Sequence, residues 1–465
     1  MDQSPVEQFG TMLKKEVGMH NLVVITNPQS QFNVALKALQ QKFCISYIGG
    51  ETRLLDLQEI ADVQEGKPNA EIHYIKRQDS TGRMTRYLRT CPIAVTKTKE
   101  LIQEFWVDVN THVFNAADFT PIPQPSNILN QWIPPTVSPQ QGNWNIIEDY
   151  LLNVICSDDL GLYEYVCGWL AHAYQRPEEK PGVIIVLLGD EGVGKGFFIR
   201  LLEIIWSRTT LQVSDINRII GNFNKALETA FIVALDEAVF QGDKKSQDRL
   251  KSMITEPTIQ IEQKFEPSRT VTSVHRYIAC TNHDHFSNIR ADDRRGVYVR
   301  VSNSQKQNTN YFGKLSAALN DGYTVSAFVY ELATRDLSNF NPRERPKTSE
   351  QFEQKRRSLD GVSRYWFEVL LNGDFSTKGY NDCCYSSACF QQNGKILEWY
   401  KDYDRTAEKY ESLQVSTIQH KIKQICPSAD INKRKDNKRG IEFPSLDTAR
   451  KEFEDWMDCK IPWTD

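Results

Sequence analysis

The sequence predicts an α/β protein with a largely parallel central sheet over residues 181–305. A helical collar precedes that core, a helical extension follows it, a mixed α+β segment opens the chain and a small separate unit closes it. Three observations carry this. The apolar runs VIIVLLG (183–189), FIVALDEAVF (231–240) and RYIACTN (276–282) alternate with stretches whose apolar residues recur every three or four positions. That alternation is the pattern of buried strands joined by crossover helices. Upstream, NWNIIEDYLLNVICSDDLGLYEYVCGWLAHAY (143–174) carries helical spacing without a strand signal. Between the opening segment and this collar, PIPQPSNILNQWIPPTVSPQQG (121–142) is dense in proline and turn formers and reads as an extended connector.

Taken along the chain, the expected division is 1–120 accessory α+β, 121–180 connector and collar, and 181–305 core. Beyond the core come a helical extension at 306–375, a turn-rich linker at 376–394 and a terminal unit at 395–465. A chain of 465 residues is too long for one ordinary domain. Its 40% hydrophobic and 25% charged content is that of a soluble globular protein, and no apolar run reaches the roughly 18 residues a membrane span needs. MDQSPVEQFG has no basic stretch followed by an apolar one, so no secretory signal is expected there and the expected setting is a cell's interior. The ten cysteines form no CxxC pair, and Cys383, Cys384 and Cys389 lack a zinc-ribbon spacing, so reduced thiols are expected. A net charge of −4 does not speak against nucleic acid, since a local basic surface suffices.

The chemistry begins where the first core strand ends. Gly189-x4-Gly194-Lys195 is a G-x4-G-K loop with a strand before it and a helix pattern after it, which is the context a phosphate cradle requires. The loop residues Gly189, Asp190, Glu191, Gly192, Val193, Gly194, Lys195, Gly196 and Phe197 are therefore the candidate nucleotide ligands. Glycines let backbone N–H groups turn onto phosphates, the helix N-terminus adds its positive end, and Lys195 supplies a point charge. The second strand ends in adjacent acids: Asp236 suits Mg²⁺ held through its water shell, and Glu237 suits a general base. The third ends in Asn282, placed to orient water against a terminal phosphate. Arg294 and Arg295 stand just before a fourth strand. One of them either reaches a neighbouring subunit's nucleotide or pairs within the chain with Asp292 or Asp293.

This order of motifs resembles the superfamily 3 helicases of viruses and plasmids, and most of all the helicase part of phage primase–helicases and primase–polymerases. The likeness rests on GVGKG, QVSDINRIIGNFN, LDEAVFQGDKKSQDRLKSMITEPTIQIEQKF, CTN and DDRRG, and runs from about 125 to 370. It implies an AAA+-like P-loop ATPase core that uses ATP and Mg²⁺ and assembles as a ring, usually hexameric. Such rings move along single-stranded or forked DNA, and the implied companion is a primase or primase–polymerase. It casts Lys195 as the phosphate lysine, Asp236 and Glu237 as the metal-side and water-activating acids, and Asn282 as the polar sensor. Arg294 becomes the subunit-bridging arginine, with Arg295 as its alternate. It also places Lys264 and Phe265 at the tip of a channel hairpin, TIQIEQKFEPSRTV, where a cation tracks phosphates and a ring stacks. Glu262 and Glu266 beside Lys264 weigh toward an ordinary surface hairpin.

One departure stands out. Phosphate loops place Ser or Thr after the lysine to ligate Mg²⁺, and relatives of this pattern carry GKG followed by Thr; here GKGFFIR has neither. Two readings result: a ring-shaped replicative helicase, or a nucleotide-gated DNA-binding ring with weak or no hydrolysis that recruits a priming enzyme. No primase or polymerase carboxylate set is evident in 1–125, so a helicase apart from its priming enzyme, or a chain trimmed of it, is expected. In the terminal unit, Lys433, Arg434, Lys435, Lys438 and Arg439 crowd around one acid, Asp436. We expect a winged-helix-like fold whose wing contacts DNA phosphates.

Overall fold

The computed structural model describes residues 28–67, 69–93, 95, 97–221, 224–236, 244–262, 268–282, 295–376, 385–404, 414–461 and 463. At its centre is a sheet of five strands: Ile184–Leu188, Thr210–Val213, Ile232–Asp236, Arg276–Thr281 and Gly296–Arg300. Every neighbouring pair is parallel, and the order across the sheet is fifth, first, fourth, third, second. A parallel strand covered on both faces must be apolar throughout, which IIVLL and IVALD satisfy. Ile185 and Leu187 enter one apolar cluster, while Ile184, Val186 and Leu188 enter the other. The first cluster also takes the collar helix Leu160–Gln175, the loop helix Lys195–Ile205 and the helix Tyr323–Thr334. The second takes Lys244–Thr255 and the hairpin of Thr258–Ile261 with Arg269–Thr272. Thr210–Val213 is a strand the sequence reading passed over. It lies at the sheet edge with only Val213 buried, too short and too wet to print an apolar run.

Buried polar contacts tie the collar to the core. Arg276, the first residue of the fourth strand, donates to the carbonyls of His172 (3.3 Å), Arg176 (2.9 Å) and Glu179 (3.0 Å), capping the collar helix. The Trp169 and Phe231 rings flank its guanidinium, and burial draws its pKa down to about 9. Lys180 donates to Met253 O (2.6 Å), Glu256 O (2.7 Å) and Ser273 Oγ, bracing the root of the hairpin. From Ser273 the bonds continue to His275 Nδ1 (2.9 Å) and from His275 Nε2 to Leu227 O (2.8 Å).

The opening segment holds its own four-stranded sheet, ordered Ile75–Lys76, Arg53–Asp56, Phe43–Ser46, Val113–Phe114. Arg208 of the core donates to the carbonyls of Lys67 and Ala70 of this segment. The connector is less featureless than its prolines suggest, because Ile128–Asn130 pairs in parallel with Ala116–Asp118.

The expected boundaries at 375 and 394 do not hold. One apolar cluster runs from Phe352 to Ile461 and includes Trp366 of the helix Gly361–Asn372, whose ring stacks on Phe443 at 5.0 Å. Cys389–Gln392, read as linker, is a strand paired antiparallel with Lys438–Phe443, which pairs in turn with Asp430–Lys435. Its four residues are all half-buried, so no alternation marks it. The unit therefore runs helix Gly361–Asn372, strand, helices Asn393–Tyr403 and Val415–Ile425, hairpin, helix Leu446–Met457. The helix Ser349–Arg357 joins it to the core: Glu350 receives a two-pronged bond from Arg300 (2.8 and 3.0 Å), and buried Lys355 donates to Met457 O. Among the described residues no helix is long and apolar enough to cross a membrane, and no group of three or more His, Cys, Asp or Glu is placed to hold a metal. The described cysteines are free thiols; Cys383 and Cys384 lie outside the described residues.

Candidate functional site

The strand order decides what meets at the sheet's C-terminal edge. The first strand lies between the fifth and fourth, so the loop leaving Leu188 runs beside the end of the fourth strand, where Thr281 pairs with Leu188 and Asn282 follows. The third strand flanks the fourth on its other side, with Asp236 opposite Cys280. Ligands of open parallel sheets bind in this crevice.

The loop itself is held by two glycines in the left-handed region, Gly192 (φ 78°) and Gly194 (φ 109°). Gly194 has a second reason to lack a side chain: a Cβ there would lie 2.7 Å from the Phe312 ring. Val193 is buried beneath, the Tyr150 hydroxyl donates to Gly194 O (2.9 Å), and Gln307 N donates to Gly192 O (3.0 Å). Tyr150 comes from a π-helical turn of the collar, Tyr150–Ile155, so collar and loop touch directly.

Lys195 begins the helix and is almost wholly buried. Its ammonium donates to Gly189 O (2.6 Å), Asp190 O (2.7 Å) and Asn282 Oδ1 (2.8 Å), three acceptors for three protons. The predicted sensor and the predicted phosphate lysine thus touch, although 87 residues separate them. Gln212 Nε2 fixes Asp236 Oδ2 at 2.9 Å. Asp190 faces outward, where a bond from Lys306 (2.7 Å) holds its carboxyl below the usual range. Cys280, beneath Asp236, has its thiol pushed up to about 12 by burial and by that carboxylate, so it offers no thiolate.

These groups open onto a cleft of about 610 Å³, with Lys195, Asp236, Asn282, Phe197, Phe312 and Arg200 in its walls. Glu191, Gly192, Gly194 and Gly196 complete the loop side, while Gly189 and Val193 lie behind it. Sequence reasoning missed Gln212, Tyr150, Gln307 and Phe312, which reach the loop from separate elements and leave no spacing to read.

Arg295 sits elsewhere. Its carbonyl accepts from Ile184 N (2.9 Å), and Gly296 pairs with Ile184 whereas Arg300 pairs with Leu188. It therefore lies at the N-terminal edge of the sheet, about 16 Å along the strands from the loop's origin. Glu237, Lys264, Phe265 and Arg294 lie outside the described residues.

A second candidate surface is the hairpin Asp430–Lys435/Lys438–Phe443, turned by Asp436 and Asn437, both with positive φ (50° and 57°). Arg434 stands directly opposite Arg439, and Lys435 opposite Lys438. Like charges directly opposite destabilise a hairpin, so this tip suits a polyanion. Lys433 differs, because Glu442 meets it at 2.6 Å.

Comparison with known proteins gives the following likenesses. A family of unknown function (DUF5906) matches residues 187–295, from the first core strand to the edge of the fifth. The DNA primase-polymerase of Nitratiruptor phage NrS-1 is 30% identical over 178 residues, which cover 37% of this chain and 24% of the relative. The match thus spans about a quarter of that relative's length. Solved apo structures of the NrS-1 C-terminal region share the fold. One covers 90% of this chain and 99% of that chain, with a TM-score of 0.63 and 16% identity. A second, in another apo form, covers 90% and 100% with a TM-score of 0.62 and 17% identity.

Proposed function

We propose that this chain is the motor part of a phage or viral replication apparatus: an ATP-dependent, ring-forming DNA helicase of the superfamily 3 kind, with a P-loop core. The observation that carries the reading is the convergence of Lys195, Asn282 and Asp236 at the ends of three adjacent parallel strands, 2.8 Å separating the first two. The donor set fits a nucleotide. Left-handed glycines and a helix N-terminus offer N–H groups to phosphates, and Lys195 has only to exchange carbonyl acceptors for phosphate oxygens. Asp236 suits a hydrated Mg²⁺, which would neutralise charge developing on the phosphates. Asn282, which accepts from Lys195 at 2.8 Å, would be the group that orients attacking water in this reading.

Arg295 supports the ring. It lies at the opposite edge of its own sheet from the cleft, which fits a group that serves a neighbour's cleft, with Arg294 beside it in sequence. In this reading each cleft is completed by the adjacent subunit, most simply in a hexamer. The likeness to the NrS-1 DNA primase-polymerase supports a place in phage DNA replication inside the host cell, on single-stranded or forked DNA and alongside a priming enzyme. The terminal unit follows the helix–strand–helix–helix–strand–strand order of a winged helix, and its hairpin tip is the proposed phosphate contact.

The test is DNA-stimulated phosphate release and strand separation by the wild type and Lys195→Ala. The wild type should show both and the variant neither; equal rates in the two end the motor reading. A second reading, a nucleotide-gated DNA-binding ring without efficient hydrolysis, is favoured by one observation. Where a hydroxyl would be expected, Phe197 is stacked on Phe312, with ring centroids 5.1 Å apart and planes inclined by 15°.

A further inference from the structure

Phe197 does more than leave a hydroxyl out. Its ring and that of Phe312 form a nearly parallel stack, and both line the cleft beyond the loop's glycines. Phe312 comes from the helix Thr309–Asn320, whose start is fixed by Asn308 accepting from Tyr311 N at 3.1 Å. Its ring edge lies where a Gly194 side chain would be, so the stack stands directly against the turn that holds Lys195. The cleft's 610 Å³ exceeds what a triphosphate alone fills. Beside the loop's glycines, the two half-buried rings supply aromatic surface to this cleft.

We infer that the Phe197–Phe312 stack is the platform for a nucleobase, so that this loop has exchanged a metal-ligating hydroxyl for base stacking. The inference rests on the nucleotide reading above and adds to it what the cleft recognises besides phosphate. Stacking draws on polarisable ring area, so a purine binds tighter than a pyrimidine. Removing one aromatic partner of a stacked base weakens binding by about tenfold.

Equilibrium binding of ATP, CTP and inorganic tripolyphosphate should be measured on the wild type, Phe197→Leu, Phe312→Leu and Lys195→Ala. Leucine keeps apolar volume against Gly194, and thermal melting checks that each variant is folded. The wild type should hold ATP tighter than CTP and at least tenfold tighter than tripolyphosphate. Each leucine variant should lose about tenfold for ATP while tripolyphosphate changes less than twofold. Equal losses for ATP and tripolyphosphate, or no loss for either, overturn the platform. Lys195→Ala tests the underlying reading separately, since it must weaken tripolyphosphate as well as ATP. As an independent readout, Phe312→Trp fluorescence should respond to ATP and not to tripolyphosphate; an equal response to both counts against stacking.

Discussion

Replacing Arg434, Lys435, Lys438 and Arg439 together by glutamine separates what the terminal hairpin does for DNA from what it does for the fold. Each phosphate contact made by a cation releases condensed counterions, worth about 0.9 in the slope of log affinity against log salt on duplex DNA and about 0.7 on single strands. Four such contacts predict a slope shallower by about 3.6 on duplex, or about 2.8 on single strands. Between 50 and 200 mM salt, the duplex value corresponds to roughly 150-fold in the salt sensitivity of binding. The same change removes two like-charge pairs, Arg434 with Arg439 and Lys435 with Lys438, each costing the free hairpin a few tenths of a kcal/mol. The quadruple variant should therefore bind far more weakly at low salt and melt no lower than the wild type. Lys433→Gln is the internal control. Glu442 already neutralises Lys433 at 2.6 Å, so its loss should move the slope by less than about 0.5. Fluorescence anisotropy with a labelled fork over a salt series, together with thermal melts, measures both quantities. A quadruple variant that keeps the wild-type slope refutes the phosphate-contact assignment. One that loses binding only because it unfolds refutes the charge argument.

Three further expectations follow from the structure. A Cβ on Gly196 meets nothing within 4 Å, so Gly196→Ser has room to restore a hydroxyl beside the lysine. It should lower the Mg²⁺ concentration needed for half-maximal phosphate release by about tenfold without lowering the Tm; Gly194→Ala, strained at φ 109° and facing Phe312, should lower Tm and nucleotide affinity together. Burial lowers His172 from 6.5 to about 3 and His275 from 6.5 to about 4, so the folded protein keeps both neutral where the unfolded chain would take up protons. Their stability contribution is thus whole above pH 6.5, is lost progressively as pH falls from 6.5 towards 4 and 3, and changes no further below those values. At pH 5 the loss is about 2 kcal/mol per histidine, visible as a lower Tm than at pH 7.5, and His275→Gln should remove about half of it.

The core was legible because its strands are buried on both faces. VIIVLLG, FIVALD and RYIACT are unbroken apolar runs, and each ends in a residue whose chemistry shows without a fold: the glycine loop, the acid and the amide. Edge elements were not. Thr210–Val213 and Cys389–Gln392 are short and partly wet, so neither periodicity nor apolar density marks them. Partners supplied by other elements were likewise invisible, as Phe312 reaches the loop only because two helices cross there, and Gln212 reaches Asp236 only because their strands are neighbours. Lys433 shows the converse: sequence grouped it with its basic neighbours, while the hairpin brings it within 2.6 Å of Glu442, an exposed pair that offsets part of its charge.

The helix Ser349–Arg357 grips two bodies at once. Near one end it accepts Arg300, at the tail of the strand that Arg295 heads; further on, its Lys355 holds the last turn of the terminal unit's final helix. Glu350 and Lys355 are both buried, although the Arg300 guanidinium is 37% exposed. If the hairpin holds nucleic acid as proposed, these contacts are the route by which a load on it would reach the fifth strand and the arginine that precedes it.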